Sequence, residues 1–122
     1  MSELHIKTRK FVVLSALTAT QIIAKLVHVQ GWRLSGGDEG GPSLAIERKF
    51  TFANYFETIA FVNAVAFVVH QLDHHPELTV TYNSCVVRLN THDVKAISQL
   101  DFDCATQIDA LLKPDALTKE SA

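Results

Sequence analysis

"LAIERKFTFANYFETIAFVNAVAFVVHQLDHHPELTVTY" spans Leu44–Tyr82, and its hydrophobic period changes twice. Leu44, Ile46, Phe50 and Phe52 alternate with Ala45, Glu47, Lys49 and Thr51. That period of two marks a half-buried antiparallel strand, with only Arg48 out of step. From Asn54 the period lengthens. Asn54-x-x-Glu57 is a helix start in which each side chain satisfies the other's orphan backbone donor. The helix is expected to run to about Asp73. It carries two apolar stripes, Tyr55–Ile59–Val62–Ala66–Val69 and Phe61–Val65–Val68–Leu72. A helix apolar over so much of its circumference needs cover on two sides. A sheet supplies one side. In so small a chain a second subunit supplies the other, so the 54–73 helix is expected to be an oligomer contact. After Pro76 the period returns to two, with Leu78, Val80 and Tyr82 set against Thr79 and Thr81.

The flanks repeat this grammar. Downstream, Cys85, Val87 and Leu89 alternate with Val86, Arg88 and Asn90, and Asn83-Ser84 is the expected turn of a hairpin. Upstream, Trp32 and Leu34 alternate with Arg33 and Ser35. "SGGDEGG" (Ser35–Gly41) holds four of the five glycines and reads as a hairpin loop. Thr18-x-x-Gln21 opens a helix expected to reach about Val29, ended by Gly31, and Ser98-x-x-Asp101 opens another, stopped by Pro114. The order is αββαββα. Without βαβα alternation this is an α+β fold: one four-stranded antiparallel sheet with three helices packed on one face. The 122 residues suit one domain over 17–114, with an N-terminal extension at 1–16 and a polar tail at 115–122.

Composition narrows the function. Hydrophobic residues at 48% and charged residues at 20% are globular values, and a net charge of −2 supplies no basic face for direct nucleic-acid binding. No apolar run reaches the roughly 18–20 residues of a membrane span, so no membrane partner is expected. Lys7, Arg9 and Lys10 before "FVVLSALTA" imitate a signal peptide, but Thr18 and Thr20 interrupt the run and a helix cap falls inside it. A cytoplasmic location is expected. Cys85 and Cys104 lack CxxC spacing and read as two reduced core thiols.

The chemistry concentrates in "QLDHHPEL" (Gln71–Leu78). His70 and His74 are four apart and share a helix face, a spacing that could hold zinc. The HExxH pattern needs Glu after the first His, however, and no third ligand is apparent, so no metal is expected. Pro76 disfavours an α conformation at His75. His74 therefore completes the helix, while His75 turns out of it. In the following hairpin the returning strand brings His92 back to the level of Leu78, beside His74 and His75. Three imidazoles around one cleft suit acid–base chemistry near neutral pH. On spacing alone they could equally cap helix ends and hydrogen-bond loops. No GxSxG, Gly-rich phosphate loop or Cys–His signature supports nucleophilic or phosphoryl chemistry.

At these residues the chain resembles the pterin-4a-carbinolamine dehydratase family, also known as a dimerisation cofactor of a homeodomain transcription factor. His70 opens the pattern, followed by "LDHHPE" (Leu72–Glu77), "YN" (Tyr82-Asn83), "THD" (Thr91–Asp93) and "SQLD" (Ser98–Asp101). "GW" (Gly31-Trp32) and "FTFANYFE" (Phe50–Glu57) agree as well, and the likeness covers about residues 17–113. Leu78 stands where the family often has Trp, and the loop Gly36–Pro42 is longer than usual. The resemblance implies dehydration of 4a-hydroxytetrahydrobiopterin to quinonoid dihydropterin with no cofactor, by a homodimer or homotetramer. It implies catalytic roles for His74, His75 and His92, pterin contacts at Asp73, Pro76, Asn90 and Thr91, and a supporting Asp101. It also implies an alternative, a non-catalytic oligomerisation or coactivator module with a transcription-factor partner.

Overall fold

A computed structural model describes residues 14–112. Most of the extension expected at 1–16, the whole tail at 115–122 and the stop at Pro114 lie outside the described residues. The elements are α1 (Ala19–Leu26), β1 (Arg33–Ser35), β2 (Ala45–Thr51), α2 (Tyr55–Gln71), β3 (Glu77–Val80), β4 (Ser84–Leu89), a 3-10 turn (His92–Val94) and α3 (Gln99–Ala110). The strands form one antiparallel sheet in the order β1-β2-β4-β3. Three helices and a four-stranded antiparallel sheet are the expected fold.

The sheet's inner face follows from register. Cys85, Val87 and Leu89 of β4 are fully buried. Across β2 they meet Phe50, Arg48 and Ile46, and across β3, Val80 and Leu78 meet Cys85 and Val87. Residues paired across an antiparallel ladder share a face, so this face carries the core. Phe61, Val65 and Val69 of α2, Phe102, Ala105 and Ile108 of α3, and Ile22 of α1 pack in the same cluster. The opposite face is polar, with Glu47 between Arg33 and Arg88.

Three boundaries differ from expectation. α1 stops at Leu26, not near Val29, although Val29 is still buried beyond its end. α2 stops at Gln71, two residues short of Asp73. The β3–β4 turn sits one residue early, because the Thr81 N–H donates to the Ser84 carbonyl and leaves Tyr82-Asn83 as the turn pair.

Arg48, the residue out of step with β2's apolar alternation, has a physical answer. It lies on the inner face between Ile46 and Phe50. Its Nη1 donates to Asp109 Oδ1 of α3 at 2.9 Å and to the Gln30 carbonyl at 3.3 Å. The guanidinium sits 4.7 Å above the Phe50 ring. Trp32 Nε1 donates to the same Asp109 carboxylate. A charge can face the core here because it is paired and keeps some contact with water.

Candidate active site

The end of α2 determines where the histidines go. The Asp73 N–H donates to the His70 carbonyl and the His74 N–H to the Val69 carbonyl, both at 3.0 Å. These two bonds are a Schellman closure, which requires a left-handed residue between helix and exit. Asp73 is that residue, with φ of 55°. Aspartate accepts this conformation better than most side chains. The chain therefore reverses at Asp73, and His74 folds back under the helix while His75 is exposed.

His74 is nearly buried, at 6% exposure, and its Nε2 lies 2.6 Å from Oδ1 of Asp101, which has no exposure. The second carboxylate oxygen of Asp101 accepts from the Thr91 hydroxyl at 2.8 Å and from the Ser98 N–H at 2.9 Å. The single hydroxyl proton of Thr91 is spent on Asp101. The 2.6 Å contact between Thr91 Oγ1 and Ser98 Oγ is therefore Ser98 donating. Ser98 Oγ in turn accepts from the Leu100 N–H. Asp101 is thus both the capping carboxylate of α3 and the partner of His74. With both carboxylate oxygens acting as acceptors, the proton of that pair is assigned to His74 Nε2. No hydrogen bond among the described residues occupies Nδ1.

A cleft of about 260 Å³ opens beside this pair, lined by Ala66, Val69, His70, His74, His75, Pro76 and Leu78. Its lining combines three imidazoles with apolar side chains. His74, His75 and Pro76 all line the cleft, although His74 lies beyond the helix it was expected to complete, and Asp101, bonded to Thr91, stands behind His74. His70 enters as the third imidazole of the cleft. Its signal was in the sequence, as the histidine four residues before His74, although His74 itself lies beyond the helix end. His92 is not among the lining residues and is exposed on the 3-10 turn. The Thr91 N–H and carbonyl are both engaged with Ala96. Asn90 directs its amide to the Leu44 carbonyl at 3.5 Å. Leu78 lines the apolar wall. A larger depression of about 440 Å³ lies elsewhere, around His28, Arg48, Thr106 and Asp109. Its ion pair is already engaged in the fold, so the histidine cleft is the stronger candidate.

The thiols stand outside this chemistry. Burial, reinforced by Asp101 and Asp103, pushes Cys104 up to about 12, and burial also raises Cys85. Both are free and buried. Such thiols are poor nucleophiles. No group of three or more His, Cys, Asp or Glu side chains among the described residues has metal-holding geometry.

The model of the pterin 4 alpha carbinolamine dehydratase family matches residues 15–111. The chain belongs to that family. A relative from Paracidovorax citrulli, provisionally named a pterin-4-alpha-carbinolamine dehydratase, is 58% identical over 97 residues, covering 80% of this chain and 81% of its own. One from Bdellovibrio bacteriovorus, provisionally named in the same way, is 51% identical over 100 residues, covering 79% and 78%. The crystal structure of a transcriptional coactivator/pterin dehydratase from Brucella melitensis superposes with a TM-score of 0.72 at 31% identity, covering 80% of this chain and 99% of that one. A pterin dehydratase-like protein described as a RuBisCO assembly factor of the alpha-carboxysome shares the fold at a TM-score of 0.57 and 21% identity, over 72% and 96%. The motif histidines thus sit in a pterin dehydratase fold, and no helix among the described residues is long and apolar enough to cross a membrane.

Proposed function

We propose that the chain is a 4a-hydroxytetrahydrobiopterin dehydratase acting by histidine acid–base catalysis, in tetrahydrobiopterin recycling. The observation that carries this is the His74–Asp101 pair at the wall of a histidine-lined cleft. Loss of the 4a-hydroxyl breaks one C–O bond. A proton must reach the departing oxygen, which leaves as water, and a ring N–H proton must be taken up as the nitrogen lone pair forms the new C=N bond. No metal, redox cofactor or nucleophile enters that balance.

His74 takes the ring proton through Nδ1, while Asp101 holds the imidazole through Nε2 and stabilises the imidazolium that forms. His75, exposed at the mouth, gives its proton to the leaving hydroxyl. His92 follows directly on Thr91, whose hydroxyl is bound to Asp101, and shares the delivery of protons to the 4a-oxygen. Asp73, Pro76, Asn90 and Thr91 shape the pterin's surroundings, and Pro76 and Leu78 offer an apolar surface to the ring. The protein works in the cytoplasm as a homodimer or homotetramer through the 54–73 helix. An intact histidine cleft supports the enzyme over a coactivator module of the same fold.

The test is a dehydratase assay with synthetic 4a-hydroxytetrahydropterin. His74→Ala and His75→Ala should each lower kcat at least about tenfold, a threshold set below the roughly 10²–10⁴-fold that a placed acid or base contributes. Parental turnover in both variants, with their folds intact, would sink the assignment.

A further inference from the structure

Thr91 and Ser98 are buried, at 2% and 0% exposure, and neither lines the cleft. Their hydroxyls form a chain whose direction is fixed at its far end. A backbone N–H can only donate, and the Leu100 N–H donates to Ser98 Oγ. The other contact of that hydroxyl among the described residues is Thr91 Oγ1, at 2.6 Å. The Ser98 proton therefore goes to Thr91, and the Thr91 proton goes to Asp101 Oδ2 at 2.8 Å. In the reverse direction a protonated Asp101 would donate to Thr91, and Thr91 to Ser98. The Ser98 proton would then have no acceptor among the described residues, and a buried hydroxyl left without one is costly.

Each donor that reaches Asp101 Oδ2 thus favours the carboxylate. The Ser98 N–H adds a second bond at 2.9 Å. Asp101 also lies in the first turn of α3, where the helix dipole favours negative charge. The place of Thr91 does not depend on its hydroxyl, because its N–H and carbonyl are both bound to Ala96. We infer that Thr91 is a positioning residue for the dehydration: its hydroxyl holds Asp101 in the ionised form, so that His74 keeps its proton on Nε2 and a free lone pair on Nδ1. The inference deepens the dehydratase reading and rests on it for its activity arm only.

The direction of the effect follows from charge. Asp101 is a lone buried anion when His74 is neutral, and it is paired when His74 is an imidazolium. Loss of a donor costs the lone anion more, so the pair takes up its proton at a higher pH. The other titratable groups around the pair are His70 and His75 in the cleft, Asp73 in the turn before His74, Glu77 at the start of β3, Cys104 on α3 and His92 beside Thr91. Burial, with Asp101 and Asp103, raises Cys104 to about 12, so it stays neutral over the range of the test. Three of these groups are histidines, so the titration is followed residue by residue.

Thr91→Val keeps the branched shape and removes the donor. By nitrogen NMR of the imidazoles, the His74 titration should move up by about one pH unit, the share of one donor where two or three lower a carboxylate by roughly two. The acidic limb of kcat/KM against pH should move with it. At a fixed pH on that limb this is about a tenfold loss, and Thr91→Ser should restore the parental limb. An unmoved His74 titration overturns the inference, as does a loss equal at every pH, which a pterin contact would give. The parent protein supplies a measurement that needs no variant. Its Asp101 carboxyl carbon should keep the NMR shift of an ionised carboxylate throughout the His74 titration, and a protonated Asp101 overturns the direction of the chain. If the parent dehydrates no pterin, the preceding reading fails, and the two NMR titrations decide by themselves whether Thr91 holds the charge on Asp101.

Discussion

Asp73 separates turn chemistry from catalysis at the scale of one residue. Its left-handed backbone is what a Schellman closure demands, and glycine would meet that demand without a Cβ. Glycine also loosens the unfolded chain, so Asp73→Gly should leave stability within about 1 kcal/mol of the parent by thermal melting. The dehydratase assay then tests the pterin contact proposed at Asp73, which predicts a fall in kcat/KM at constant stability; parental kinetics would count against that contact. Cys104 makes a pH prediction. Its folded-state value is raised to about 12 from 9.0, so the unfolded chain releases the proton first. Its stabilising effect is complete below pH 9.0 and is lost as pH rises toward about 12. Unfolding free energy from denaturant titrations should fall across that window, and Cys104→Ala should flatten the fall. Both residues were visible in the sequence, but only the backbone angle and the burial gave them these properties.

Among the elements, β2 and α3 are joined by a charge where an apolar residue would be expected. Asp109 receives both Arg48 and Trp32, so Asp109→Ala leaves a guanidinium and an indole N–H without their partner. The Arg48 side chain keeps 32% of its exposure. The loss should therefore fall below the full buried-pair penalty, at about 2 kcal/mol by denaturant unfolding. Arg48→Leu combined with Asp109→Leu should recover most of it, since an apolar pair on the inner face leaves no unpaired charge. The periodicity of β2 exposed Arg48 as the anomaly. It could not name Asp109, 61 positions along the chain. The helix starts were more legible, because Thr18–Gln21 and Ser98–Asp101 are local boxes and both form. Helix ends were less so: α1 and α2 both stop early, since the closing turn is set by backbone bonds and packing more than by composition.

For the whole molecule, the oligomer proposed through the 54–73 helix makes stability depend on concentration. Association stabilises the folded state by mass action, so the melting temperature should fall on dilution. Phe67 of that helix is exposed, so Phe67→Glu should remove that dependence, as differential scanning fluorimetry over a concentration series would show. The sequence by itself determined the element order, the α+β class and the family motif. Each follows from local periodicity or from fixed spacing. The tertiary structure decided which chemical groups meet. It put Asp101 on His74 across 27 positions, gave Asp109 to Arg48, and placed His70 rather than His92 in the lining of the cleft. The histidine contacts arise where a strand end, a 3-10 turn and two helix termini converge, and the Arg48 pair arises between the middle of β2 and the end of α3; side-chain reach across either junction is fixed by packing, which no one-dimensional pattern carries.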